Sequence, residues 1–223
     1  MSAIFFDMDG TLVDSEPLWL EAEIEVMLKE GCIWTAEDQL ACLGGPRAKT
    51  ERIMQEKSGR QVPDGYFGEQ LDKLMELKLS NQLNFVPGSL ELLNDCKSHN
   101  LKIGLVTASG SRLMNVVLKS FPANTFDVVI SGDDVVNSKP NPEPYLTAAR
   151  RVSVDVTKTV VIEDSVTGAT SGLASGAQVI GIPHLVNLPK HENLRVVSKL
   201  SEITVAKLMK WYPFLKGDSI ARS

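Results

Sequence analysis

The chain has 223 residues, 43% hydrophobic and 23% charged, with a formal net charge of -5 and a pI near 5.3. That is soluble globular composition, and its acidic balance argues against non-specific nucleic-acid binding, which needs a basic footprint. No apolar run approaches the roughly 18 residues that span a bilayer, and three cysteines without a C-x-x-C pair argue against a disulfide framework or a zinc site.

Ala3-Ile4-Phe5-Phe6 is a short continuous apolar run, as expected of a strand buried on both faces. With only Met1-Ser2 ahead of it, a signal peptide has no room, so a cytoplasmic protein is expected. Asp7-Met8-Asp9-Gly10-Thr11 follows at once. Two carboxylates at the end of a buried strand suit a nucleophile, a proton carrier and a hard cation between them. A plain Asx turn would use the same residues. Ser15 or Asp14 is placed to cap a helix over Leu18–Glu30, with Pro17 just inside it. Its apolar positions are Leu20, Ile24, Met27 and Leu28, with Glu21, Glu23, Glu25 and Lys29 between them, and Gly31 stops it. Residues 36–83 remain helical in texture, above all Glu51–Lys57 and Phe67–Leu83, broken at Gly44-Gly45-Pro46.

After Pro87-Gly88 the pattern alternates. Helices are expected at 89–99, 111–120, 142–152 and 166–175, and strands at 101–106, 126–130, 159–162 and 178–182. Such alternation implies a parallel α/β sheet, with the strand-free stretch before it as an inserted helical domain. The expected domains are therefore 1–14 with 87–223, and 15–86. The tail from Lys216 is polar and reads as weakly held.

The strand ends carry polar residues: Asp7 and Asp9, then Thr107, then Lys139 after Ser131-Gly132-Asp133-Asp134, then Glu163 and Asp164. In a parallel sheet these ends share one edge. Clustered carboxylates need a cation or raised pKa values. An all-oxygen set favours Mg²⁺, which accepts a substrate phosphate as ligand. Lys139 and Thr107 suit the other phosphate oxygens. Phosphoryl transfer through an aspartyl-phosphate follows as the expected chemistry.

Asp7 to Ser15, Val106-Thr107-Ala108-Ser109, Ser138-Lys139-Pro140-Asn141-Pro142 and Ile162 to Gly168 resemble, in order, the four motifs of the haloacid dehalogenase superfamily. The resemblance implies a Rossmann-like doubly wound parallel sheet with a small all-helical cap, in the phosphatase and β-phosphoglucomutase branch, since dehalogenases lack the second aspartate. It implies Asp7 as nucleophile and metal ligand. Asp9 is implied as general acid and base, giving the metal its backbone carbonyl. Thr107, Ala108 and Lys139 are implied at the phosphate, Asp164 as metal carboxylate, and Glu163 as a direct ligand or a support beside it.

The cap selects the leaving group in this superfamily. Gly44-Gly45-Pro46-Arg47 resembles its specificity loop, and Arg47 is expected to meet a second anionic or hydroxyl-rich part of the substrate or else to sit on a solvated face. Trp19 either stacks on a sugar ring or seals the cap. Mutases of this branch usually carry histidine at that position, so hydrolysis is favoured over the phosphomutase alternative. A ligand-binding protein without catalysis is the third possibility. Lys73 and Lys78 read as solvated, and His99, His184 and His191 as structural. Arg112 could cap its helix or reach the site, Asp133 and Asp134 order the loop before Lys139, and Cys42 is packed. The expected partner is a small phosphorylated metabolite bound by a monomer, with no nucleic acid and no membrane.

Overall fold

A computed structural model describes residues 2–42, 47–183 and 187–216. The break at Gly44-Gly45-Pro46, His184 and the tail beyond Lys216 lie outside the described residues. Strand β1 spans Ala3–Phe6, β2 Lys102–Val106, β3 Val128–Ile130, β4 Thr159–Glu163, β5 Gln178–Gly181 and β6 Leu194–Val196. All neighbours pair in parallel, in the order β3-β2-β1-β4-β5-β6. This is the doubly wound arrangement, and its strand order reverses between β1 and β4.

Alternation along the strands supplies both layers. Ile4, Phe6, Ile103, Leu105, Val160 and Ile162 face one side. There they meet helices α5 (Ser89–Ser98), α6 (Ser111–Leu118) and α9 (Val205–Trp211). Ala3, Phe5, Val106, Val128, Val161 and Val179 face the other, against α7 (Glu143–Arg151) and α8 (Val166–Ser175). β6 and α9 were not expected from the sequence. β6 is short and largely exposed, with Arg195 and Val196 facing solvent, so it lacks an apolar run.

Among the described residues, four helices intervene between β1 and α5: α1 (Glu16–Lys29), α2 (Ala36–Cys42), α3 (Arg47–Ser58) and α4 (Tyr66–Gln82). In α4, Phe67, Leu71, Met75 and Leu79 recur every fourth residue, and all are buried. Its N-cap is Gly65, which has no side chain to offer. Glu51 of α3 takes that role, accepting from the backbone N–H of Phe67 at 3.2 Å and Gly68 at 2.7 Å. The chain crosses into and out of the helices side by side: Asp14 N–H donates to Asn84 and Val86 N–H to Leu12.

Two local expectations fail in α1. Its buried face is Leu18, Ala22, Glu23, Val26 and Met27, not the stripe through Ile24 and Leu28, which is 68% exposed at Leu28. The α4 partner covers the opposite side of that stripe, so tertiary packing overrides the periodic signal. Ser15 sits at the N-cap but makes no side-chain cap, and its hydroxyl is used elsewhere.

Candidate active site

The switch point between β1 and β4 carries the polar cluster. Asp7 continues β1, its N–H donating to Ile162 at 3.0 Å. A tight loop then turns the chain: Gly10 N–H meets Val13 O at 2.8 Å, and Val13 N–H meets Met8 O at 2.9 Å. Gly10 has φ +77° and lies against Asp164, where a side chain would overlap the carboxylate. The loop therefore lets the ends of β1 and β4 approach closely.

Lys139 enters from the loop before α7 and is 5% exposed. An ammonium has three protons, and each is used. They go to Asp7 Oδ1 at 2.6 Å, Glu163 Oε1 at 2.6 Å and the carbonyl of Val106 at 2.8 Å. Glu163 is fully buried; Oε1 also accepts from Tyr145 at 2.7 Å, and Oε2 from Ser165 at 3.1 Å. Tyr145 presents its ring to Lys139, 5.0 Å from centroid to Nζ. Below Glu163, Gly168 leaves room that any side chain would fill.

Oxygens of Asp7, Glu163 and Asp164 lie within 4.8 Å of one another. One ammonium does not balance three carboxylates in a buried site. Burial first, then Glu163, pushes Asp7 up to about 8 against the opposing pull of Lys139. Burial and the charge of Asp7 hold Asp164 well above the usual range. Lys139 is held above the ordinary lysine range because Asp7 and Glu163 outweigh the burial that opposes its charge. A hard divalent cation would fit this oxygen-only set and relieve its repulsion.

Asp9 stands apart from that cluster. Its Oδ1 accepts from Ser15 at 2.7 Å and, at a long 3.5 Å, from Trp19 Nε1. Oδ2 accepts from Ser109 at 2.7 Å and, at 3.5 Å, from Thr107. Thr107 Oγ1 accepts from the Ser109 N–H at 3.0 Å, which fixes the turn after β2 through Ala108. A cavity of about 200 Å³ opens between Asp9, Ala108 and Ser109 on the sheet side and Trp19, Arg47 and Leu71 on the helices.

Asp7, Asp9, Thr107, Ala108, Lys139, Glu163 and Asp164 thus come together at one sheet edge, with Trp19 and Arg47 facing them from the helices. Arg47 is held to α4 by Asp72 at 2.6 Å and the carbonyl of Gly68 at 2.6 Å. Arg112 neither caps its helix nor enters the cluster, but pairs with Glu76 of α4. Asp133 is what caps α6, accepting from Ser111 N and Oγ at 2.7 Å each. Asp134 closes a capping box with Ser131. Lys73 pairs with Glu69, and Lys78 with Glu21 and Glu25. Cys42 is buried, and burial pushes its thiol up. Sequence reasoning passed over Tyr145, and over Ser15 and Ser109 as partners of Asp9. Only the proximity of Ser109 to Thr107 hinted at any of them.

The profile of the haloacid dehalogenase-like hydrolases matches residues 4–182. The chain belongs to that family. Hexitol phosphatase B of Escherichia coli (strain K12) is 31% identical over 218 residues, covering 93% of this chain and 96% of the relative. A phosphorylated carbohydrates phosphatase of Thermotoga maritima is 32% identical over 195 residues, covering 84% and 88%. The crystal structure of a β-phosphoglucomutase from Clostridium difficile superposes with a TM-score of 0.78 at 23% identity, covering 96% and 97%, a likeness of fold alone. The expected family and its α/β sheet therefore hold. Among the described residues, no helix is long and apolar enough to cross a membrane.

Proposed function

We propose that the chain is a Mg²⁺-dependent phosphatase of small phosphate monoesters, chiefly phosphorylated sugars, acting through an aspartyl-phosphate. The observation that carries this is Lys139 locked between Asp7 and Glu163 while Asp9 sits separately at the mouth of a cavity. The names of the two phosphatase relatives support the substrate class.

In this proposal Asp7 attacks phosphorus, forming the Asp7–phosphorus bond as the bond to the leaving oxygen breaks. Asp9 gives its proton to that departing alkoxide. A water then attacks the phosphoryl group, Asp9 takes its proton, and the acyl phosphate releases phosphate with the Asp7 carboxylate restored. Ser15 and Ser109 aim the Asp9 oxygens, and Thr107 orients that turn. Lys139 offsets charge on Asp7 and the phosphoryl oxygens, while Glu163 holds Lys139 with both its oxygens engaged. Asp7, Asp164 and the Asp9 backbone carbonyl would hold Mg²⁺, which supplies charge stabilisation to the transferring group. Residues 15–86 act as a cap hinged on the paired crossings at Asp14 and Asn84. The protein works in the cytoplasm as a monomer.

Phosphate release from sugar, polyol and nucleotide monophosphates, with Mg²⁺ and again with EDTA, tests this. Metal-dependent release from a few sugar phosphates, reduced at least about 1000-fold in Asp7→Asn, is expected. Full activity in Asp7→Asn would sink the mechanism. Isomer interconversion that depends on a bisphosphate, without net phosphate release, would turn the assignment to a mutase.

A further inference from the structure

Two openings flank the site, and their chemistry differs. A cleft of about 490 Å³ is bordered by Lys139, Arg112 and Arg47. The smaller cavity beside Asp9 carries Glu16, Glu23 and Glu51, with Arg47 as its single cation among the described residues. Arg47 is already neutralised by Asp72, and Glu51 is committed to the N–H groups of α4. Glu16 and Glu23, with Asp9 at its mouth, therefore set the charge of this cavity. In the proposed reaction the leaving group must lie here, because Asp9 is its proton source.

Two of its polar side chains are buried and incompletely paired. Glu23 is 4% exposed, and one oxygen accepts from Trp34 Nε1 at 2.9 Å. Its other oxygen has no hydrogen-bond partner among the described residues. Gln39 is 9% exposed; its Nε2 donates to the Glu16 carbonyl at 3.0 Å. Its carbonyl oxygen likewise has no partner among the described residues. Neither oxygen is among the fully shielded unpaired atoms of the described residues; both side chains line the cavity, and a ligand hydroxyl is a donor that fits such free acceptors. A second phosphate would instead bring its charge against acids that burial already pushes up to about 7, with no cation on the wall, among the described residues, but the paired Arg47.

We infer that the Glu23–Gln39 pocket selects an uncharged, hydroxyl-bearing leaving group, a polyol or sugar, and rejects one that carries a second phosphate. This rests on the proposed phosphatase activity and narrows its substrate class to monophosphates. Of the partners expected for Arg47, a second anion, a hydroxyl-rich part of the substrate or solvent, it argues against the anion. Burial pushes Glu23 up to about 7, so near neutrality it can either accept from or donate to a hydroxyl.

The test compares kcat/KM for a hexitol monophosphate, the corresponding hexose bisphosphate and p-nitrophenyl phosphate. Wild type should prefer the hexitol monophosphate to the bisphosphate by at least about 100-fold. Glu23→Gln, which can keep the Trp34 bond, should relax that preference about 10-fold. Thr50→Lys, which sets a cation on the cavity wall, should relax it as far or further. Equal or faster turnover of the bisphosphate by wild type overturns the inference, as does an unchanged ratio in both variants. Binding of the same three compounds to Asp7→Asn separates the two levels. No phosphate release from any of them overturns the phosphatase assignment alone, while tighter binding of the bisphosphate overturns the pocket assignment.

Discussion

The crevice at the sheet edge and the cavity under the helices both gather carboxylates, but they manage them oppositely. At the sheet edge, Asp7 and Glu163 share one fully committed ammonium, with Asp164 beside them. In the cavity, Glu23 is buried with a neutral indole N–H as its donor, and among the described residues no lysine lines the wall. The first arrangement fixes charges for chemistry, since a buried ion pair holds its geometry only while every donor is used. The second leaves acceptors available, which is what recognition of a variable ligand requires. The difference lies in which groups are already satisfied, not in residue type.

Removing the lysine breaks the contrast most severely. Lys139→Ala would leave Asp7 and Glu163 buried without their counter-charge. A loss of about 3–5 kcal/mol in denaturant unfolding is expected, with phosphate release below detection. A stable, active Lys139→Ala protein would mean that the cluster is held by something else.

Proton uptake should report both regions at once. Burial pushes Glu23 and Glu16 up to about 7 from about 4.5, and Asp7 up to about 8. The folded chain then holds protons that the unfolded chain sheds above pH 4.5, so stability must fall as pH rises from there through about 7 to 8. Glu23 by itself accounts for up to about 3 kcal/mol of that loss. The metal-free protein is expected to melt higher at pH 5 than at pH 8. Mg²⁺ at pH 8 should recover the part owed to Asp7 and Asp164, and Glu23→Gln the part owed to Glu23, leaving that of Glu16. A flat melting profile would remove the distinction between the two regions.

Gly168→Ala sharpens the claim that Glu163 has one permitted position. The added methyl would occupy the volume of its carboxylate, so a loss of about 1–3 kcal/mol is expected, with activity falling further than stability explains. Glu51→Ala is the mildest probe. It removes the cap of α4 from the cavity side, and about 1 kcal/mol in thermal unfolding is expected, with little change in turnover of p-nitrophenyl phosphate.

Much of the site was legible because strand ends in a parallel sheet share an edge. Asp7, Thr107 and Glu163 each follow an apolar run and Lys139 the loop after β3, so chain order alone suggested their meeting. Tyr145 was invisible for the opposite reason. It lies on the face of α7 turned to the sheet, where a buried tyrosine ordinarily packs, and only the position of Glu163 gives its hydroxyl a partner. Glu23 stood in the sequence only as one of the acids between the apolar positions of α1. Its neighbours Glu21 and Glu25 do lie outward and pair with Lys78, while one helical step carries Glu23 to the inner face.

The sequence by itself determined the family, the alternation that makes the sheet, and the polar residues that gather at its edge. Those depend on local periodicity and on motifs a few residues long. Only the tertiary structure decided which carboxylates are charge-paired, which face of α1 is buried, and what lines the cavity. Helices from distant parts of the chain settle these by excluding water from some polar atoms and leaving others to a ligand, and no local pattern encodes that choice.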